Sequence, residues 1–203
     1  MICKECKAEI NGNICDNCGY KNISPKKKVI ALTAIAVLLI AVIISLTLIF
    51  VKESENRKIE ICVTKGQAFS ELINNSKRNM ENIGMFYSAS TKMNYGYSWN
   101  EEYFTNYVTD LNSDWISKEK ANMLNIKSQY ESIEEIKYNN DDIKNFQKQS
   151  ENLYNAYEDM YDLLIEQNFT YKNFETKYSQ YKNEFNMALE LYNSVLEELN
   201  VNK

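Results

Sequence analysis

The sequence predicts a mainly α-helical protein: a small cysteine-rich head, one transmembrane helix, and an extracellular antiparallel bundle of three or four long helices. Three observations predict it. Val29–Val51 is a run of 23 residues with no charge, Pro, Gly, Asn or Gln. Four of the five cysteines fall in two C-x2-C pairs ahead of that run. From Gln67 onward apolar residues recur at alternating steps of 3 and 4, the period of a helix face. One Pro and five Gly in 203 residues argue against a turn-rich sandwich or barrel. The absence of histidine removes Ser-His-Asp and Cys-His catalysis and the usual general base.

The head, residues 1–24, contains Cys3-x2-Cys6 and Cys15-x2-Cys18. Two such pairs present four thiolates that can close a tetrahedral metal site, and the turn at each pair lets backbone N–H groups bond the sulfurs. Gly19 after the second pair suits that turn because it accepts positive φ; Lys7 holds the corresponding place after the first. Asn11-Gly12 between Ile10 and Ile14 reads as a hairpin turn. So short a segment cannot bury a sufficient core, so bound metal must supply its folding energy. A thioredoxin-like dithiol is the rival reading of C-x2-C, but the βαβ setting it needs is missing.

Val29–Val51 is about 35 Å long as a helix, enough for a hydrocarbon core of about 30 Å with slight tilt. Its only polar side chains are Thr33, Ser45 and Thr47. It exceeds the apolar core of a signal peptide, no A-x-A-like site follows it, and no Cys stands at its end, so an uncleaved signal anchor is expected. Lys26-Lys27-Lys28, the basic linker 25–28, abut one end, whereas Lys52 at the other is diluted by Glu53 and Glu55. The positive-inside rule therefore places residues 1–28 in the cytoplasm and 52–203 outside the cell membrane. Ala41 and Ser45 have small-xxx-small spacing, a weak helix-pairing signal. Residues 1–28 carry a net charge of +3 and the remainder −8. Four thiolates with one Zn²⁺ would reduce the head's excess to about +1, too little for strong counterion release, so no nucleic-acid partner is expected. The membrane-flanking lysines suit anionic membrane lipid.

Over residues 1–22 the chain resembles the short zinc-ribbon heads of bacterial membrane proteins. The layout of ribbon, basic linker, single span and outer part is similar to zinc-ribbon membrane proteins of Gram-positive bacteria, among them teicoplanin-resistance-associated membrane proteins. No motif in 52–203 extends the likeness to their outer domains. The resemblance implies one structural Zn²⁺ on Cys3, Cys6, Cys15 and Cys18. A catalytic zinc is disfavoured because four thiolates leave no position for water.

Residues 52–66 read as a stalk in which Ile59, Ile61 and Val63 alternate as a short strand would. Cys62 reads as a half-buried thiol, with an intermolecular disulfide or a ligand as alternatives. The bundle is expected over 67–203. Its first helix carries Phe69, Ile73, Ser76, Met80, Ile83, Tyr87 and Ser90 on one stripe, opened by a Thr64/Gln67 capping box. A second stretch, about 100–136, starts with Glu101-Glu102, breaks near Asn112–Trp115, and continues through Met123, Ile126, Tyr130 and Ile133. The third has caps Asn140 and Asp141 and the stripe Ile143, Phe146, Ser150, Leu153, Tyr157, Met160 and Leu164. The fourth runs Phe174, Tyr178, Tyr181, Phe185, Ala188, Tyr192, Val195 and Leu199, after a short connection at 168–171. Two heptad stripes joined this way, coiled-coil-like in period but rich in aromatics, make an antiparallel hairpin within a compact bundle.

Fourteen of the 15 tyrosines lie beyond the span. They either fill seams or offer stacking faces for sugar or peptidoglycan. Tyr95, Tyr97 and Trp99 around Gly96 form the candidate binding surface. The pairs Glu101-Glu102, Glu134-Glu135 and Asp141-Asp142 fall at helix ends; as glycosidase carboxylates they would need about 5–9 Å separation across a cleft. The expected function is a non-enzymatic, single-pass envelope protein whose outer bundle binds a cell-wall or protein partner. The alternative is a signalling or assembly subunit whose ribbon docks a cytoplasmic protein. An extracellular hydrolase is disfavoured by the missing His and the lack of a nucleophile motif.

Overall fold

The computed structural model describes residues 2–12, 14–21, 25–93, 106–110, 112–137, 140–170 and 172–201, with α1 side chains described over 37–92. The chain divides into two compact units, Met1–Ser54 and Glu55–Lys203. The named helices are α1 (Pro25–Met93), α2 (Ser113–Glu134), α3 (Asp141–Leu164) and α4 (Phe174–Val201). The protein is mainly helical, and the only pairing among the described residues outside helices is two isolated antiparallel bridges in the head.

In the first unit, helix α1 opens at Pro25, where a missing N–H costs nothing. Every described side chain from Val37 to Val51 is exposed. The two hydroxyls here bond back to their own helix, Ser45 Oγ to Ala41 O at 2.9 Å and Thr47 Oγ1 to Ile43 O at 2.8 Å. The stretch thus presents hydrocarbon with its polar atoms satisfied internally, as a lipid environment demands. By length and composition it can cross a membrane.

In the second unit, α1 from residue 55, α2, α3 and α4 form a four-helix bundle. Side-chain bonds fix its directions. Gln129 Nε2 donates to Lys65 O at 3.0 Å and Asn79 Nδ2 to Glu119 Oε2 at 3.3 Å, so α1 and α2 are antiparallel. Tyr130 stacks on Tyr154 with ring centres 4.3 Å apart, while Tyr157 bonds Glu119, so α2 and α3 are antiparallel too. Tyr192 OH reaches Gly66 O at 2.8 Å, whereas Thr91 Oγ1 reaches Glu175 Oε1 at 3.0 Å, which runs α4 against α1. The connection that precedes α4 folds Phe169 onto Tyr87 and Phe174, ring centres 5.1 and 4.8 Å apart, and Gln167 donates to Tyr87 OH.

All seven residues of the stripe expected on the first bundle helix are buried, as are all seven on α3. Phe174, Tyr178, Phe185, Tyr192 and Leu199 of α4 are buried; Tyr181, Ala188 and Val195 are half-buried. The break near Asn112 is present: helical residues 106–110 precede it, and Asn112 Nδ2 donates to Val108 O at 2.7 Å, ending that turn. Asn140 Oδ1 accepts from the amides of Asp142 and Ile143, so it caps α3 as expected.

Two expectations are corrected. Residues 52–66 are helical, so the short strand that their alternation permitted does not form: Ile59, Cys62 and Gly66 continue the stripe of Phe69 back by steps of 3 and 4; they and Val63 are buried, while Ile61 is exposed. The capping box at Thr64 is absent because no helix starts there; Thr64 Oγ1 bonds Glu60 O inside α1. Glu101-Glu102 lie outside the described residues.

Gly84 marks a close approach between helices: a Cβ there would overlap the Tyr178 ring, which is stacked on Phe174. Gly84→Ala gains about 1 kcal/mol of helix propensity but forces an overpacked core costing about 1–3 kcal/mol. A net fall in the melting temperature of the second unit by a few degrees is expected, measured by circular dichroism. An unchanged or raised melting temperature would refute the close approach.

Candidate metal centre and the buried core of the second unit

The head is built from two equivalent turns offset by twelve residues: Ile2-Cys3-x-x-Cys6-Lys7-Ala8-Glu9 and Ile14-Cys15-x-x-Cys18-Gly19-Tyr20-Lys21. The backbone repeats with the sequence. Cys3 N donates to Ala8 O at 2.9 Å and Cys15 N to Tyr20 O at 2.9 Å; Lys7 N donates to Cys3 O at 3.0 Å and Gly19 N to Cys15 O at 2.7 Å. Ile2 bridges Glu9, and Ile14 bridges Lys21. Lys7 at φ 59 and Gly19 at φ 70 share the left-handed conformation. Lysine pays roughly 1–2 kcal/mol for it, so the turn geometry is imposed by what the cysteines must reach, not by local preference. The hairpin expected at Asn11-Gly12 involves Asn13, which lies outside the described residues.

The four Sγ atoms lie within 4.8 Å of one another, with Cys3–Cys18 and Cys6–Cys15 each at 3.5 Å. A tetrahedral thiolate site with metal–sulfur bonds of about 2.3 Å has sulfurs about 3.8 Å apart, so the spacing fits a metal ion. The Ala8 backbone hydrogen bond leads in holding the Cys6 thiol down to about 6, with the Cys15 and Cys18 thiols also lowering it. At Cys18 the Tyr20 backbone bond acts in the same sense, yet its bond to Cys6 and desolvation prevail and push it up to about 12. Cys3 and Cys15 are buried with Ile10 under Ala8 and Tyr20, a core of three residues. That is little apolar burial for a folded segment, and a metal ion on the four sulfurs would add folding energy.

In the second unit Cys62 is fully buried, and burial pushes its thiol up to about 11. Neither a disulfide to another chain nor an accessible ligand position fits that placement. Tyr95, Tyr97 and Trp99 lie outside the described residues. Of the tyrosines described, Tyr87, Tyr130, Tyr154, Tyr157, Tyr161, Tyr178 and Tyr192 are buried, in the role of seam fillers. Glu134 and Glu135 end α2, Glu134 accepting from Tyr130 OH at 2.6 Å; Asp141 and Asp142 occupy the first turn of α3, where carboxylates favour the helix dipole. An open recess of about 480 Å³ is lined by Arg57, Glu60, Ile61, Thr64 and Lys65 of α1.

The core also holds a carboxylate the sequence reading passed over. Glu119 of α2 is 0% exposed. Its Oε1 accepts from Ser76 Oγ and from Tyr157 OH at 2.9 Å, and its Oε2 from the amides of Asn79 and Asn122 at 3.3 and 3.4 Å. Four donors converge on its two oxygens, and among the described residues no lysine or arginine pairs with it. The negative charge beside Tyr157 adds to burial in raising that phenol far above its ordinary value. The signal was available: Ile116, Glu119, Met123, Ile126, Tyr130 and Ile133 step 3-4-3-4-3, with the acid on the seam itself.

No protein-family model, curated protein or solved structure matches this chain.

Cys15→Ser removes one of four ligands from a head with almost no core of its own. We expect loss of bound metal by atomic absorption and collapse of head amide dispersion, with the helical circular dichroism signal unchanged. Parallel loss of both signals would contradict independent folding of the two units.

Proposed function

We propose that the chain is a single-pass, membrane-anchored envelope protein. In this reading the head is a cytoplasmic zinc ribbon, Cys3, Cys6, Cys15 and Cys18 hold one structural Zn²⁺, and the extracellular bundle binds a cell-wall or protein partner. Zinc is the ion of choice because a closed set of four thiolates suits a tetrahedral, redox-inert cation. The ion then supplies folding energy, while the chain's own amides at Ala8 and Tyr20 stabilise the thiolate charge.

The observation that carries this reading is the exposed, charge-free stretch Val37–Val51, which water would not tolerate at such length and lipid would. The lysine asymmetry around residues 29–51 supports the orientation. The −8 charge of the remainder favours a partner surface with basic groups and disfavours nucleic acid. The recess beside Ile61 is one place where such a partner could seat an apolar group.

A second reading has one observation in its favour. Ile2 and Ile14, 66% and 49% exposed, occupy equivalent places on the two turns of the head, and an apolar pair of this kind suits docking of a cytoplasmic protein.

Photo-crosslinkers placed at Ile61 and Leu191 of the outer bundle, activated in intact cells, test the leading function. Capture of a reproducible envelope component, competed by the soluble outer unit, is expected. Capture only from a crosslinker at Ile14 would instead favour the docking subunit.

A further inference from the structure

Helix α2 differs from its neighbours in how it is held. It buries four apolar residues, Ile116, Ile126, Tyr130 and Ile133, over its 22 positions, where α3 buries nine over 24. At its centre the seam position falls to Glu119. Beyond the rings of Trp115 on Phe86 and Tyr130 on Phe69 and Tyr154, its ties include polar ones near its C-terminal end: Lys65 Nζ donates to Ser132 O, Gln129 to Lys65 O, and Gln147 Nε2 to the carbonyls of Ile133 and Glu134 at 3.0 and 3.3 Å. By contrast, α3 and α4 meet through fully buried apolar side chains, including Phe146 against Tyr192 at 5.7 Å.

We propose that α2 undocks from the outer bundle as a unit, with the Glu119 cluster as its latch, while α1, α3 and α4 remain packed. Opening returns the carboxylate and its three donors on α1 and α3, Ser76, Asn79 and Tyr157, to water, which replaces every bond they lose. The same opening at an apolar seam would only expose hydrocarbon. The free energy of opening is therefore lower for α2 than for the α3–α4 hairpin, and the two form separate cooperative units. While α2 is away, the groups it touches, Phe69 and Ser76 of α1 and Tyr154 and Tyr157 of α3, become accessible. The latch is specific: the cluster closes only when donors from α1 and α3 and the acid of α2 arrive in register, as buried polar groups elsewhere fix helix register. This device is independent of which partner the bundle takes and of the membrane assignment.

Amide hydrogen exchange by mass spectrometry on the full chain in detergent, at one pH, reads it directly. Peptides from residues 119–133 are expected to exchange at least about tenfold faster than those from 146–161 and 185–196. Glu119→Gln replaces one acceptor oxygen by an NH₂ facing donors, and should speed α2 by a further tenfold or so while moving the α3–α4 peptides less than about threefold. Should that variant not fold, Tyr157→Phe removes a single donor and should act in the same direction with smaller size. Equal protection of α2 and α3 in the unaltered chain overturns the proposal. So does a latch variant that speeds all helices alike.

Discussion

A helix that shows only hydrocarbon to its surroundings cannot be an ordinary surface helix in water, and this constraint organises the first unit. Burying apolar area is worth roughly 25 cal/mol per Å², so leaving every side chain of Val37–Val51 exposed would forgo several kcal/mol per turn. Lipid removes that penalty. It also demands internal satisfaction of polar atoms, and Ser45 and Thr47 meet the demand by bonding carbonyls four residues back. The head, which has almost no core, depends on a different source of order: four sulfurs at metal-site spacing held by two matching turns. Lys7 in a glycine-like conformation shows how firmly that spacing dictates the backbone.

The second unit is ordered by a third device, side chains meeting at alternating steps of 3 and 4 along four antiparallel helices. Aromatics do most of the filling, which sets helices apart where Tyr and Phe meet and lets them close in where Gly66 and Gly84 stand. Tyr192 illustrates the advantage of tyrosine over phenylalanine here: its ring packs on Phe69 and Phe146, and its hydroxyl finds the carbonyl of Gly66. Glu119 is the opposite case, a charge accepted into a seam because three helices supply its hydrogen bonds.

Periodicity carried most of this architecture in the sequence. The stripes of α1 and α3 were legible residue by residue, because a buried face repeats at the helical period whatever the tertiary arrangement. The four-cysteine set was equally legible, since metal ligation fixes both residue type and spacing. Three features were not. Ile59, Ile61 and Val63 alternate as in a strand, yet Cys62 and Gly66 extend the helical stripe, and small residues at seam positions carry little hydrophobic signal. Thr64 matched a cap by type, but helix ends depend on whether the chain really changes direction there. Glu119 holds a seam position by spacing, yet a charged residue reads as solvent-facing until its partners on other helices are known.

The central claim is the single crossing of the membrane by residues 29–51, with the cysteine-rich end inside. Protease shaving of intact cells, followed by mass spectrometry of released and protected peptides, tests it most directly. The account predicts release of peptides from beyond residue 52 and protection of residues 1–28 until the membrane is opened. Release of the first two dozen residues with the tail spared would contradict it.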